Sequence, residues 1–156
     1  MGALMDLIAG DTREILLAIT IDDWDALDDP QRFAGHLSLG GGLDPTWLDL
    51  FSEAVRKVTG STEPPDFIDA RHELDGPGEM TERSLEGVDT EWFVPIANLS
   101  PHEIDAVAGH WIDLIEEDLG ELPREEKPWI RKLAGEIVEF SRAADRSRDV
   151  VFAWSL

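Results

Sequence analysis

The side chains that could do chemistry in this chain are few in kind. There are four histidines, His36, His72, His102 and His110, and no cysteine. Without a thiol there is no disulfide framework, no thiolate zinc site and no cysteine nucleophile. Histidine could hold a metal if two rings met at helical i,i+4 or in an HExxH spacing. His102-Glu103 has no second histidine four residues on, since the next is His110, so no metal site is expected. The densest catalytic composition is Asp69, Arg71, His72, Glu73 and Asp75. A histidine flanked by carboxylates can act as a general base with a raised pKa. These neighbours would not all face one way on a helix, and salt-linked surface residues are the competing reading. A pocket near residues 60–90 built on Asp69, Arg71, His72 and Glu73 is therefore the alternative site. No serine sits in a nucleophile-elbow context. With 34 acids, carboxylate pairs for glycosidic chemistry can be neither excluded nor selected. The sequon Asn98-Leu99-Ser100 carries no function without a secretion signal.

A second constellation is built for binding. Asp22, Asp23, Asp25, Asp28 and Asp29 surround Trp24 and Leu27 with no base among them. They lie in a chain of 156 residues with 13 Lys or Arg and a formal net charge of -21. Residues 124–156 carry 7 bases and 6 acids, so the whole excess belongs to residues 1–123. Nucleic acid is a polyanion and is excluded as a partner unless a basic patch exists. Anionic membrane surfaces are disfavoured for the same reason. The cluster reads either as a solvated surface or as a docking face for a basic protein partner. Complementary charge would then speed association more than deepen affinity. Trp24 would be an aromatic anchor with a polar rim, or a side chain tucked under a loop.

The elements that must position these residues follow from periodicity and caps. Apolar residues are 42% of the chain, too many for a disordered acidic tail. At this size folding buries about 69% of the unfolded chain's surface, enough for a single domain over 1–156. Met1–Ala9 predicts a strand, and Asp11 with Glu14 a helix start. A short helix is expected from Pro30 to about Leu39, closed by Gly40-Gly41-Gly42, which lack the lysine of a phosphate-binding loop. Asp44-Pro45 opens a helix through Trp47, Phe51 and Val55, stopped by Gly60. Ser61–Pro65 is a loop, Phe67–Leu74 a short helix, Gly76-Pro77-Gly78 a break, and Glu79–Thr90 a polar surface segment. Glu91–Ala97 predicts a second strand, at an edge because of Pro95. Ser100-Pro101-His102-Glu103 is a capping box before a helix ending at Gly120. Pro128 opens the last helix, with Trp129, Ile130 and Leu133 facing inward, and Val150–Trp154 is a closing strand. Trp47, Trp111 and Trp129 are expected in the core. The sum is an α+β fold, helix-rich, with a small sheet of about three strands.

This order of motifs resembles one family. Met1-Gly2 with a short strand and a capped helix is followed by Leu43-Asp44-Pro45-Thr46-Trp47, Thr59-Gly60, Leu99-Ser100-Pro101-His102-Glu103-Ile104, and a final helix and strand. The pattern is similar to the YfbM-like family, domain of unknown function DUF1877. Ser61–Gly78 departs from that family's Pro-Leu and Gly-rich segment. The resemblance implies an α+β fold and, since the family has no established activity, no chemistry.

The expectation is an acidic cytoplasmic protein without cofactor, a non-catalytic binding module of the immunity or inhibitor kind for a basic partner. Its binding residues are Asp22, Asp23, Trp24, Asp25, Asp28 and Asp29. No signal peptide is expected at the N-terminus, and no stretch reaches the ~20 apolar residues of a membrane span.

Overall fold

The computed structural model describes residues 4–40, 44–74 and 84–155. Five strands form one antiparallel sheet: β1 (Leu4–Gly10), β2 (Gly35–Gly40), β3 (Arg71–Glu73), β4 (Ser84–Val88) and β5 (Asp149–Ser155). Their order is β2-β1-β5-β4-β3, with the first and last strands of the chain side by side in the middle. The described helices are α1 (Thr12–Thr20), α2 (Thr46–Thr59), α3 (Phe67–Ala70), α4 (Val94–Ala97), α5 (Pro101–Leu119) and α6 (Glu126–Ala144). Two 3-10 turns, Trp24–Asp28 and Thr90–Trp92, join them. No helix among the described residues is long and apolar enough to cross a membrane.

Alternation along the strands divides the core in two. Met5, Leu7 and Ala9 of β1, Leu37 and Leu39 of β2, and Phe152 of β5 face the large helices. Ile8, Val151 and Ala153 face the other way, onto Ile15, Ala18 and Ile19 of α1, Leu27 of the 3-10 turn and Phe33. Period-two burial makes each central strand apolar on both sides, as a sheet covered on both faces requires.

The larger layer is held by aromatic edges. Phe51 meets Trp111 at 5.0 Å, Phe67 meets Trp92 at 4.9 Å, and Phe67 meets Phe152 at 5.1 Å, all T-shaped. That geometry sets a ring's positive edge against its neighbour's negative face. The buried indoles also find acceptors: Trp111 Nε1 donates to the Trp47 carbonyl at 2.8 Å, and Trp92 Nε1 to Ser52 Oγ and the Pro65 carbonyl. α5 begins as expected, Ser100 Oγ accepting from the Glu103 amide while Glu103 accepts from the Ser100 amide. Asp11 caps α1, and Gly60 ends α2 at φ +71, a left-handed position that suits glycine.

Several expectations need correction. Among the described residues the sheet has five strands, not about three. The helix expected over Pro30–Leu39 is β2 in its second half, because Leu37 and Leu39 are buried together two residues apart. Phe67–Leu74 is one turn of helix and then β3, and part of the expected polar segment Glu79–Thr90 is β4. Glu91–Ala97 is helical, not a strand. Trp92, Phe93 and Ile96 are buried with Val94 exposed, a helical rather than alternating pattern, and Pro95 sits early in α4 where its missing N–H costs nothing. α6 begins at Glu126, ahead of Pro128, and Trp129 is 40% exposed rather than core. The Gly76-Pro77-Gly78 break and most of the Gly40–Gly42 stop lie outside the described residues.

Candidate functional site

The acidic cluster folds as the 3-10 turn between α1 and β2. Asp22 stands before it at φ +59, a left-handed conformation that aspartate tolerates better than most residues, and its Oδ1 accepts from Trp24 Nε1 at 3.0 Å. Asp22, Asp23, Asp25 and Asp28 are exposed and Asp29 is half-buried. Trp24 is half-buried too, packed against the core that α1 makes with the sheet. It is a foot of the turn as much as a surface residue. Leu17 and Ile21, exposed by 54% and 62%, lie on and just after α1 and give the acidic rim an apolar neighbour. Sequence reasoning had not singled them out.

It had also missed the residue that ties this turn to the sheet. His36 on β2 bonds Asp6 Oδ1 through Nε2 at 2.8 Å and Asp28 Oδ1 through Nδ1 at 2.8 Å. Both ring nitrogens can donate only when the imidazole is doubly protonated. Burial alone would push its pKa down; the hydrogen bonds and charges of Asp6 and Asp28 outweigh that and hold it above 6.5. Asp6 is 7% exposed, an acid in the middle of an apolar strand. That lone charge in Leu4-Met5-Asp6-Leu7-Ile8 is the signal that a cationic partner must come from elsewhere in the chain. Between Met5 and Asp6 the β1–β2 register slips, and Asp6 and His36 share the face that carries α1.

The alternative site does not assemble as one group. His72 projects to the α1 side of the sheet, its ring lying where a Cβ on Gly87 would stand, with Asp89 3.4 Å from Nδ1. Together with Thr12, Arg148 and Asp149 it borders a cleft of about 200 Å³. Arg71 lies on the opposite face. It reaches Glu86 at 3.3 Å, stands 5.5 Å over the Phe67 ring, and shares Glu86 with Trp154 Nε1. Its Nε is buried without a hydrogen-bond partner among the described residues. Asp69 and Glu73 are exposed, and Asp75 lies outside the described residues. Close by, burial raises the Asp49 pKa, helped by the charges of Asp66 and Asp69 and opposed by the Ile68 amide and Arg71. Among the described residues no three of His, Asp and Glu stand grouped to hold a metal ion.

Fold and site together define an α+β domain with an antiparallel sheet, a large helical layer on one face and a small acidic lobe on the other. The sequence matches no protein-family model, and neither the curated proteins nor the solved structures searched hold a match to it.

Proposed function

We propose that this chain is a non-catalytic binding module that docks a basic protein on its acidic lobe. The observation that carries the reading is the exposed set Asp22, Asp23, Asp25 and Asp28 beside exposed Leu17 and Ile21. No Lys or Arg occurs between Arg13 and Arg32, and the cation that meets the set, His36, pairs with Asp28 at its end. An apolar patch rimmed by charge of one sign suits a partner of the opposite sign and gives it fast, salt-sensitive association. The motif order supports, as a further proposal, kinship with the YfbM-like family, which contributes no activity.

A small-ligand site at the His72 cleft is the second reading, favoured by the convergence of His72, Asp89 and Arg148 on one opening. Ligand pockets usually run to ~300 Å³ or more, and three of the four residues expected there lie elsewhere. The binding reading is the stronger.

The test begins with capture at low salt from the source cell, followed by reconstitution from purified components. The reconstituted partner should be basic, and its association rate should drop at least ~tenfold between about 50 mM and about 300 mM salt. Replacing Asp22, Asp23 and Asp25 together by Asn should slow association similarly at low salt. An association rate indifferent to both would overturn the reading.

A further inference from the structure

The two edges of the sheet are treated differently. β3, at one edge, is three residues long and carries Arg71, His72 and Glu73, the short charged design that blocks strand addition. β2, at the other, runs six residues, Gly35-His36-Leu37-Ser38-Leu39-Gly40, with no Lys, Pro or acid in it. Among the described residues it pairs with β1 alone. An edge strand keeps alternate N–H and C=O groups pointing away from its one neighbour.

Beside β2 runs an open groove of about 570 Å³ whose other wall is α6, with Ile104 of α5. Its floor is mostly apolar, through Leu37, Phe140 and Ala143, and its α6 wall also carries Lys132, Glu136 and Glu139. Small residues shape it. At Gly35 strand and helix come close, a Cβ there standing 3.3 Å from that of Ala143, whereas a Cβ on Gly135 would meet nothing within 4 Å. The groove is thus pinched at one end and open along the helix.

We infer that the outer edge of β2 takes up an extended segment of the basic partner as a sixth strand, with apolar and basic side chains alternating along it. The inference rests on the binding reading above and deepens it. Side chains of an added strand point alternately to the two faces of the sheet. On the helix face, where Leu37 and Leu39 point, they meet the groove. On the other face, where His36 points, they meet the acidic turn through Asp28, whose side chain is 70% exposed although it bonds His36. Apolar residues fit the floor of the first environment and Lys or Arg the second. With Glu136 and Glu139 against Lys132 on the groove wall and the acidic turn on the other face, both sides carry an excess of acid, so charge complementarity selects a basic strand over a neutral one.

The experiment uses the full chain and two labelled peptides of one composition: Val-Lys-Val-Lys-Val-Lys-Val, and the same residues in blocks, four Val then three Lys. Fluorescence anisotropy at low salt should show the alternating peptide at least ~tenfold tighter. N-methylation of its alternate amides should remove that advantage, because the ladder donors are gone. Gly135→Leu, which fills the open part of the groove, should weaken the alternating peptide ~tenfold and leave the blocked one unchanged, with Gly135→Ala and thermal melts controlling for folding. Equal affinity for the two peptides, or indifference to N-methylation, would overturn strand addition while leaving charge-driven docking intact. Failure of both peptides to bind would also overturn it, and the reconstituted complex then decides separately on the acidic lobe.

Discussion

The two faces of the sheet are stabilised by different physics. The face under α2, α4, α5 and α6 is joined mainly by buried apolar contact: Phe51, Phe67, Trp92 and Trp111 pack edge to face, and the indole N–H groups of Trp92 and Trp111 end on uncharged oxygens, with one ion pair, Arg71–Glu86, at its margin. The face under α1 and the 3-10 turn has a smaller apolar core and is pinned to β2 by charge, through Asp6, His36 and Asp28. Apolar burial responds little to pH or salt, whereas an ion pair depends on a protonation state and on screening. The lesson is that the lobe proposed to bind is also the part of the molecule whose attachment solution conditions can change.

The largest effect should come from breaking the helical face. Trp111→Ala removes a fully buried ring, its contact with Phe51 and its bond to Trp47, and should cost about 4 kcal/mol, read as a lower urea midpoint for the whole chain. A loss confined to one probe would mean that the faces unfold separately and would sharpen the contrast.

Next is the charged pin. Asp6→Ala leaves His36 with only the exposed Asp28 and should cost about 3 kcal/mol. If it costs less than Ser100→Ala, the lobe is not held by charge. The pH dependence carries a sign. The folded pKa of His36 is raised above 6.5, so the fold holds the proton more tightly than the unfolded chain. Its contribution is complete below 6.5 and is lost as pH rises through the folded value. Urea midpoints of the wild type should therefore fall over that window, and His36→Gln should flatten the decline. An unchanged slope in the variant would assign the pH response to other groups.

Smaller effects separate the faces further. Ser100→Ala, which removes the capping box of α5, should cost about 1 kcal/mol at any pH between 5.5 and 8, roughly. Asp28→Asn should cost only a few tenths of a kcal/mol, roughly, because its carboxylate is largely exposed. It should nevertheless slow association with a basic partner. A variant that binds normally would remove Asp28 from the docking face and leave it a purely structural partner of His36.

What was legible in the sequence was local. Asp11, Ser100 and Gly60 marked helix ends because a cap is made within three or four residues. β1 and β5 were legible as apolar runs. Misreadings fell where one pattern allows two structures: Leu37 and Leu39 fit a short helix until the sheet shows them sharing a face, and Trp92, Phe93 and Ile96 fit a strand until Val94 is seen to be exposed. Of the expected binding residues, the aspartates of the turn came together because they were already neighbours in the chain. The Asp69–Glu73 group divided between two faces because a strand sends Arg71 and His72 in opposite directions.

By itself, then, the sequence determined the acidic character, the capped helices and the place of the negative cluster, all set by composition or by contacts within a turn. Tertiary structure decided the rest. It gave β2 an outer edge with a groove beside it, and it brought Asp6 to a histidine 30 residues away. That pairing depends on strand order and register, which arise from burying two faces of one sheet at once. No local pattern encodes them, and so the hold on the lobe became visible only once the chain was folded.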